Sequence, residues 1–467
     1  MKKLLLSLKN QMIIGIIFLS INNLNAQLTT GTYTIGGTSP DYATVVAAVN
    51  ELNTNGIAGD GPVIFSIADG NYDGQFAINA ILNSSSVNTV TFSSASEDST
   101  KVAIMHATTG SSNNYVFQLN GCDYVTFKQV RIYNYATTSY NRVIELNGTS
   151  TNNQFLNCEI IGYSGATASS NQALIYAYGD VIDNLTIENC FIQSGGYGLY
   201  LEGIGTDSSN VKVKGNTIAS KNGMYLKNQN RCQIESNTIN ATYIYGIELR
   251  ECHYNIVVSK NTIKVESTVG ANGIYMNACD GNIVDKGLVS NNSIVDIGST
   301  GYSNYGMYLT GSDYQRIYHN SIHLVSSNVS GSSMYVTGGS NIEVANNNFA
   351  NSAFGFALYA ATDAIVSSSD YNNLYSGGNF LAYWGQNSHD LTELKAIGKD
   401  ANSTSYYPSF VSNTDLHPLT KWINGTATNT TIGLVADDLN GIARNASTPD
   451  VGAFELHPRI WILILEQ

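Results

Sequence analysis

Three charged residues in a repeated motif are the best candidates for catalysis. Glu248 and Arg250 stand two positions apart after Gly246, and Lys227 takes the place of Arg250 in the preceding repeat. A polysaccharide lyase needs a base and a cation that neutralises the substrate carboxylate, and these residue types supply both. The same side chains also suit a surface ion-pair ladder of Glu202, Lys227 and Arg250, which would contribute roughly 0 to 1 kcal/mol to stability.

A glycoside hydrolase is a poorer match, because it needs two carboxyl groups about 5 to 9.5 Å apart. Glu145 and Glu248 hold equivalent positions four repeats apart. At about 4.8 Å per stacked strand they would be separated by roughly 19 Å. We therefore favour a protein without catalysis and keep a polysaccharide lyase, hydrolase or epimerase as the alternative.

Tyrosines recur at the position that Glu248 holds in its own repeat. They are Tyr176, Tyr200, Tyr225, Tyr275, Tyr308 and Tyr335. Sugar rings stack their C–H faces on aromatic side chains and need hydrogen-bonding groups such as Glu202 nearby. We predict that this column binds a polysaccharide or surface glycan. Stacked tyrosines also stabilise strands without any ligand, so a stalk that binds nothing is the third hypothesis.

The column belongs to an internal repeat that contains a second motif. After each Gly-aliphatic-Tyr-aliphatic segment comes Asn-Thr-Ile or a close variant, and the asparagines are Asn216, Asn237, Asn261, Asn292, Asn320, Asn347 and Asn372. Their spacing of 21 to 31 residues suits the coil of a solenoid. A buried amide must be hydrogen-bonded, so we interpret these residues as a structural ladder of stacked side-chain amides.

Each repeat alternates apolar and polar residues, as strands with one buried face do. The sequence therefore predicts an all-β fold, a single-stranded right-handed parallel β-helix with an N-terminal helical cap and an irregular C-terminal terminating segment. The expected divisions are a signal peptide (1–26), a cap (27–60), the β-helix (61–380), the terminating segment (381–455) and an apolar tail of unknown role (456–467). In the cap, Ser39-Pro40 should begin a helix that Gly56 ends.

The strands, the Asn ladder and several closing segments resemble the right-handed parallel β-helix proteins of the pectate-lyase-like class, especially large surface proteins of the Bacteroidetes. The closing segments are Asp370–Tyr375, Tyr383–Gly385, Asp390–Ile397, Asp438–Arg444 and Asp450–Glu455. The resemblance implies that polysaccharide would lie on the outer strand face. The sequence lacks Gly-His-Gly, Arg-x-Lys and Trp-x-Asp-His, so the sites of polygalacturonases and pectate lyases are not carried over.

The cysteines are predicted to be structural. Cys158 and Cys190 should stack on neighbouring coils, as should Cys252 and Cys279, and either two disulfides or a ladder of free thiols fits that spacing. Cys122 and Cys232 have no expected partner on an adjacent coil. We predict no metal site and no cofactor. The segment Asp69-Gly-Asn-Tyr-Asp73 does not indicate a Ca²⁺ site, because it lacks the downstream Glu of an EF-hand loop. His253, His319 and His323 are expected to be solvated.

The N-terminal segment and the net charge limit where the protein can be located and which partners it can bind. Three lysines precede an apolar run that ends before Ala26, which is the pattern of a secretory signal, and the run is too short to span a bilayer. Without that signal, 19 basic residues face 35 acidic ones, a formal charge of −16. This balance argues against nucleic acid. We expect a secreted or cell-surface monomer with no transmembrane segment in the mature chain.

Overall fold

Three long parallel sheets make up most of the protein. The computed structural model describes residues 27–205 and 210–456, so the predicted signal peptide and nearly all of the predicted apolar tail lie outside the described residues. Each turn of the chain adds one strand to each sheet in a fixed order, sheet 1, sheet 2 and sheet 3. The chain is a right-handed parallel β-helix, which confirms the predicted fold class.

Sheet 1 consists of Gly31–Ile35, Val63–Ile67, Val90–Ser94, Val125–Lys128, Gln154–Leu156, Thr186–Glu188, Lys212–Lys214, Gln233–Glu235, Val257–Ser259, Gly287–Ser290, Gln315–Tyr318, Ile342–Ala345 and Val366–Asp370. Sheet 2 consists of Gly70–Asp73, Val102–His106, Arg131–Asn134, Glu159–Ile161, Phe191–Gln193, Thr217–Ser220, Thr238–Ala241, Thr262–Glu266, Ser293–Ile297, Ser321–Ser326, Asn348–Asn351 and Asn373–Ser376. Sheet 3 consists of Phe76–Asn79, Phe117–Asn120, Ile144–Asn147, Ala173–Asp180, Tyr197–Gly203, Asn222–Lys227, Tyr245–Arg250, Asn272–Asn277, Tyr305–Thr310, Ser332–Val336, Phe356–Ala360, Ala382–Trp384 and the antiparallel Asn387–Ser388.

Shorter elements occupy the turns and the two ends. Two small parallel pairs join Ser150–Thr151 to Ile182–Asp183 and Ser312–Asp313 to Gly339–Ser340. The α-helices of the described residues are α1 (Val45–Asn55) and α2 (Leu391–Ala396). Single 3₁₀ turns are Ser170–Gln172, Lys421–Ile423 and Asn429–Thr431. Within the described residues, no helix has the length and apolarity that crossing a bilayer requires.

The predicted ladder asparagines form one buried column between sheets 1 and 2. The Asn261 Oδ1 accepts hydrogen bonds from both the backbone N–H and the side-chain amide of Asn237, at 3.0 and 2.9 Å. The same pattern links the successive members from Asn216 to Asn372. The residue before each ladder asparagine has a φ between 54 and 66°, so the left-handed turn there aims the amide inward.

The repeated glycine that opens the sheet 3 motif is explained by close packing between sheets 2 and 3. A Cβ at Gly246 would lie 2.5 Å from Cγ2 of Ile263, and one at Gly273 would lie 2.3 Å from Cγ2 of Ile294. Real side chains do not pack this closely, so a larger residue would force the two sheets apart. The Gly and Ile positions of the repeat are therefore coupled through the core.

Helix α1 covers the first coil, but it begins later than predicted. Thr44 is its N-cap, accepting a hydrogen bond from the Ala47 N–H at 3.1 Å, and Gly56 ends it with a φ of 67°. The prediction that Ser39-Pro40 starts the helix is wrong. Residues 36–43 instead fold back on strand Gly31–Ile35, where the Asp41 carboxylate accepts hydrogen bonds from the Thr34 N–H and hydroxyl. That strand already belongs to sheet 1, inside the segment predicted as the cap.

The C-terminal segment packs against the outer face of sheet 2. Leu416, Ala453 and Phe454 bury Val295 of that face. The Arg444 side chain has no exposed surface and donates to the Asn291 Oδ1 at 2.6 Å and to the Gly452 carbonyl at 2.9 Å. This segment therefore gives the last coils a second apolar interface in addition to the core.

Two histidines lie beneath this segment, and the prediction that they are solvated is wrong for both. His319 has no exposed surface and its Nε2 is 2.8 Å from the Thr431 hydroxyl, while His323 contacts the ring of Phe410. Burial lowers the pKa of His319 well below its ordinary value and lowers the pKa of His323 to about 4. Both imidazoles are neutral near pH 7. His253 is partly exposed on a turn.

All six cysteines are buried free thiols. Cys158 and Cys190 continue the asparagine column, since the Cys158 N–H donates to Cys190 Sγ at 3.4 Å and the Cys190 N–H donates to Asn216 Oδ1 at 2.8 Å. Cys252 hydrogen-bonds with the Cys279 side chain on the next coil. Cys232, expected to have no partner, also hydrogen-bonds with Cys252, because both lie in the turn from sheet 3 into sheet 1 on successive coils.

Candidate functional site

Eight tyrosines form a column on the outer face of sheet 3, called here the tyrosine strip. They are Tyr176, Tyr200, Tyr225, Tyr275, Tyr308, Tyr335, Tyr359 and Tyr383, and strand register aligns them along the helix axis. Alternation directs them outward, because the residues on either side of each point into the core. All eight side chains are partly exposed. The six predicted tyrosines therefore lie in one outward column.

The rings of the strip pack directly on one another. Tyr200 and Tyr225 stack with their centroids 4.5 Å apart, and Tyr359 and Tyr383 stack at 4.4 Å. A second aromatic column, three residues earlier in the strands, supports the first at its edge: Tyr197 lies 5.3 Å from Tyr200 in a T-shaped arrangement. Aromatic pairs in these geometries are worth about 0.5 to 1.5 kcal/mol each beyond burial. The strip is thus a preorganised aromatic surface.

The phenols of the strip act as hydrogen-bond donors, not as bases. Burial, followed by the charge of Glu202, raises the pKa of Tyr200 to about 12. Burial and the neighbouring Tyr305 raise the pKa of Tyr335 to about 12 as well. The pKa of Tyr225 is raised in the same direction, chiefly by burial. Every one of these hydroxyls stays protonated at neutral pH and can donate to a sugar hydroxyl.

The strip is interrupted at Glu248, whose side chain is only 4% exposed. Arg250 holds its Oε1 with two donors, Nε at 2.7 Å and Nη2 at 2.6 Å. Burial raises the pKa of the Glu248 carboxyl, and the adjacent Arg250 charge opposes that shift. The carboxylate is therefore already satisfied and covered, an arrangement that stabilises the strip and leaves little access for a substrate proton.

Lys227 does not join this pair. Its Nζ is 3.1 Å from Glu202 Oε1 on the preceding coil. The structure thus separates the three predicted catalytic residues into two ion pairs, Glu202–Lys227 and Glu248–Arg250. The expected ladder of Glu202, Lys227 and Arg250 is confirmed for Glu202 and Lys227 and is wrong for Arg250, because Arg250 turns back to the carboxylate on its own strand.

A second Glu–Arg pair lies at the opposite end of the first three tyrosines of the strip, next to Tyr176. Arg142 Nη1 is 3.4 Å from Glu145 Oε2, and the Arg142 guanidinium lies 3.3 Å from the centre of the Tyr176 ring. Burial raises the pKa of the Glu145 carboxyl, and the Arg142 charge opposes that shift. Glu145 and Glu248 bracket Tyr176, Tyr200 and Tyr225, four strands apart or roughly 19 Å. That separation is far beyond the distance of a glycosidase carboxyl pair.

Sequence reasoning missed three parts of this surface. Tyr359 and Tyr383 extend the strip, and the pattern Leu358-Tyr359-Ala360 signalled the first of them, although Ala357 stands where the repeat has glycine. Arg142 lies just before its strand, and only the fold places its side chain over Tyr176. The added residues lengthen the aromatic surface without adding a convergent pair of acids.

Comparison with known proteins supports the fold. The model of a family described as periplasmic copper-binding protein (NosD) matches residues 164–388, a little under half of the chain. No curated protein matches this sequence.

Similar solved structures include three enzymes. The chain resembles a pectate lyase at 13% identity and a TM-score of 0.42, covering 92% of this chain and 98% of that one. It also resembles the A-module of a mannuronan C-5 epimerase from Azotobacter vinelandii at 12% identity and a TM-score of 0.38, covering 79% and 97%. An alginate lyase from Paenibacillus sp. matches at 12% identity and a TM-score of 0.30, covering 67% and 99%.

The copper in that family description has no matching donor set here. Copper sites in proteins use imidazole nitrogens and cysteine or methionine sulfurs. Across residues 27–205 and 210–456, no three side chains of His, Cys, Asp and Glu come together in a way that could hold a metal ion. The cysteines are buried in the apolar core, and His319 and His323 lie under the C-terminal segment. The described residues therefore do not fit a copper centre.

Proposed function

We propose that this is a secreted or cell-surface carbohydrate-binding protein without catalysis, and that the tyrosine strip holds an extended polysaccharide along the β-helix axis. The observation that carries the proposal is the column of partly exposed rings on sheet 3, interrupted at Glu248, in which neighbouring rings pack in stacked or T-shaped pairs. Rigid, ordered rings lose little conformational entropy when a ligand binds, which favours affinity. The extended spacing favours a long linear ligand over a single sugar.

Hydrogen-bonding groups border the rings where sugar hydroxyls would lie. The Asn277 amide donates to the Tyr275 hydroxyl at 3.3 Å, and Asn120 and Asn147 form an exposed amide chain near the Glu145 end. The Glu202–Lys227 pair adds both signs of charge within the same row. A surface that mixes aromatic faces with donors and acceptors suits a polyhydroxylated ligand.

The alternative is a polysaccharide lyase, hydrolase or epimerase that acts on the same face. It would require Glu248 to leave Arg250 and Lys227 to leave Glu202 before either could act on a substrate. The closed ion pairs support binding over catalysis for this surface. Incubation with neutral and uronate polysaccharides, followed by mass spectrometry of the soluble material, separates the two: defined oligosaccharides would show an enzyme, with unsaturated ends for a lyase.

Replacing two central rings should weaken binding without unfolding the protein. We expect the Tyr200→Ala/Tyr225→Ala variant to lose roughly fivefold to 150-fold in affinity, since two stacking contacts worth about 0.5 to 1.5 kcal/mol each are removed. Affinity gel electrophoresis in gels that contain neutral or uronate polysaccharides measures this as lost retardation. The matched control is Tyr407→Ala, because Tyr407 is exposed on the C-terminal segment away from sheet 3.

The thermal midpoint of each variant separates binding from stability. If the protein is a stalk that binds nothing, Tyr200→Ala/Tyr225→Ala lowers the thermal midpoint, and the polysaccharide gels retard neither the variant nor the unsubstituted protein. Retardation that survives in the double variant would contradict the proposal, because it would place the glycan on another surface.

A further inference from the structure

A groove runs beside sheet 2, near the edge where the chain turns into sheet 3. Two adjoining cavities of about 390 and 240 Å³ share Ser164 and Ser194 in their walls. Together they span the strands from Arg131–Asn134 to Thr238–Ala241, five successive coils. Their combined length is roughly 19 Å at the strand spacing. No residue of the tyrosine strip lines either cavity.

One long loop builds the wall of this loop groove. Residues 162–172 connect sheet 2 to sheet 3, whereas the same turn in the next coil is only residues 194–196. The Gln172 side chain fixes the loop, accepting from the Thr167 N–H at 2.9 Å and donating to the Thr138 carbonyl at 3.1 Å. A Cβ at Gly196 would lie 2.3 Å from the Ser169 carbonyl oxygen, so the loop rests directly on the next coil.

The larger cavity is aromatic. Tyr133, Tyr135 and Tyr163 line it, and Tyr133 and Tyr135 have ring centroids 6.0 Å apart. The Tyr135 hydroxyl donates to Asp73 Oδ2 at 2.8 Å, which orients its ring. A Cβ at Gly165 would lie 2.5 Å from the Tyr163 ring, so that ring packs against the loop backbone at Gly165. Three rings in one cavity can hold the faces of sugar rings.

Among the described residues that line the two cavities, the charged side chains are all basic. Arg131 and Lys221 line the two cavities, and no Asp or Glu does, although the chain has 35 acidic residues against 22 basic ones. Arg131 is bound to Glu159 at 2.7 Å. Lys221 has no carboxylate within ion-pairing distance in residues 27–205 and 210–456, and the polar side chains of Gln193, Asn240 and Thr242 line the same cavity. The unpaired cation at this end favours an anionic group.

We propose that the loop groove is a second binding site, for a linear uronate-containing oligosaccharide. The sugar rings stack on the tyrosines of the larger cavity, and a carboxylate at the other end binds Lys221. The site shares no residue with the tyrosine strip, so it does not depend on the function proposed for the strip.

Isothermal titration calorimetry of the full chain with an oligogalacturonate, and with a cello-oligosaccharide of equal length, tests this site. We expect the acidic ligand to bind more tightly and added salt to weaken it. Tyr133→Ala/Tyr163→Ala should lose at least tenfold in affinity for the acidic ligand. Lys221→Met should lose roughly tenfold for the acidic ligand, the value of one charged hydrogen bond, and little for the neutral one.

Two matched controls separate this site from general effects of charge and of exposed tyrosines. Lys212→Met removes an exposed lysine of sheet 1, and Tyr407→Ala removes an exposed tyrosine of the C-terminal segment; both should leave oligogalacturonate binding unchanged. The proposal is overturned if the unsubstituted protein binds no oligogalacturonate, if Lys221→Met loses no more affinity than Lys212→Met, or if Tyr133→Ala/Tyr163→Ala loses no more than Tyr407→Ala. Retardation in polysaccharide gels is measured in a separate experiment. A failure of the tyrosine strip to bind and a failure of the loop groove to bind can therefore be told apart.

Discussion

Asn261→Ala should lower the free energy of unfolding by about 3 to 5 kcal/mol, although it removes only one polar side chain. Four hydrogen bonds end at that amide: it accepts from the N–H and the amide of Asn237 and donates to the Ile234 carbonyl and to Asn292. Alanine removes all four hydrogen bonds; the Asn292 Oδ1 keeps its bond from the Asn261 backbone N–H and the Asn237 amide keeps its bond to the Val213 carbonyl. Each buried group left unsatisfied costs about 1 to 3 kcal/mol. Urea denaturation followed by circular dichroism measures the loss.

The control is Asn240→Ala on a neighbouring coil, where the side chain is exposed on the outer face of sheet 2. An exposed asparagine should change stability by no more than about 0.5 kcal/mol. If Asn261→Ala lost less than about 1 kcal/mol, the amide column would not be holding the coils together. The stability of the β-helix would then rest on its apolar core alone.

Asp296→Asn should make the protein more stable at pH 8 while having much less effect near pH 4. The Asp296 side chain points into the core between Val265 and Leu324 and has no exposed surface. Within the described residues no side chain donates to its carboxyl oxygens, and the Gly298 N–H is the one group that favours the ionised form. Burial raises the pKa of this carboxyl well above its ordinary value. Folding therefore favours the protonated acid, and the ionised form is expensive to bury.

The sign of the pH dependence follows from that raised pKa. The stability that protonation supplies is fully present below the unfolded pKa of about 3.9 and is lost as the pH rises towards the folded pKa. The free energy of unfolding of Asp296→Asn minus that of the wild type should thus grow by about 1.4 kcal/mol per pH unit between these two pKa values. Denaturation midpoints from pH 4 to 8 measure it, with Glu97→Gln, an exposed turn residue, as the control. A difference that stays flat would show that Asp296 does not titrate with a raised pKa.

The repeat made the fold predictable because its signals are local. Each coil carries the same Asn-x-Ile turn and the same Gly-aliphatic-Tyr-aliphatic strand, so register follows from aligning motifs. The contacts of the C-terminal segment were not predictable in this way. Val295 lies on an outward position, and only the C-terminal segment, far later in the chain, explains why it, His319 and His323 are buried. The alternation of apolar and polar residues predicts a strand, but it does not predict which segment packs on the outer face of that strand.

The candidate site was predictable in its position but not in its pairing. Alternation places Glu248 and the tyrosines on one outward column, and the structure has them there. Alternation says nothing about rotamers, so it could not show that Arg250 turns back to Glu248 or that Lys227 reaches Glu202. The loop groove depends on residues 162–172, which have no counterpart in the repeat and carry no motif.

The most direct test of the central claim is hydroxyl-radical footprinting of the protein with and without a pooled panel of neutral and uronate polysaccharides. We expect mass spectrometry to show reduced oxidation of Tyr200, Tyr225 and Tyr275 when the panel is present, because a bound chain covers their exposed faces. Tyr407, on the C-terminal segment, should be oxidised equally in both samples. Equal oxidation of the strip tyrosines with and without polysaccharide would contradict the claim that sheet 3 is a glycan-binding surface.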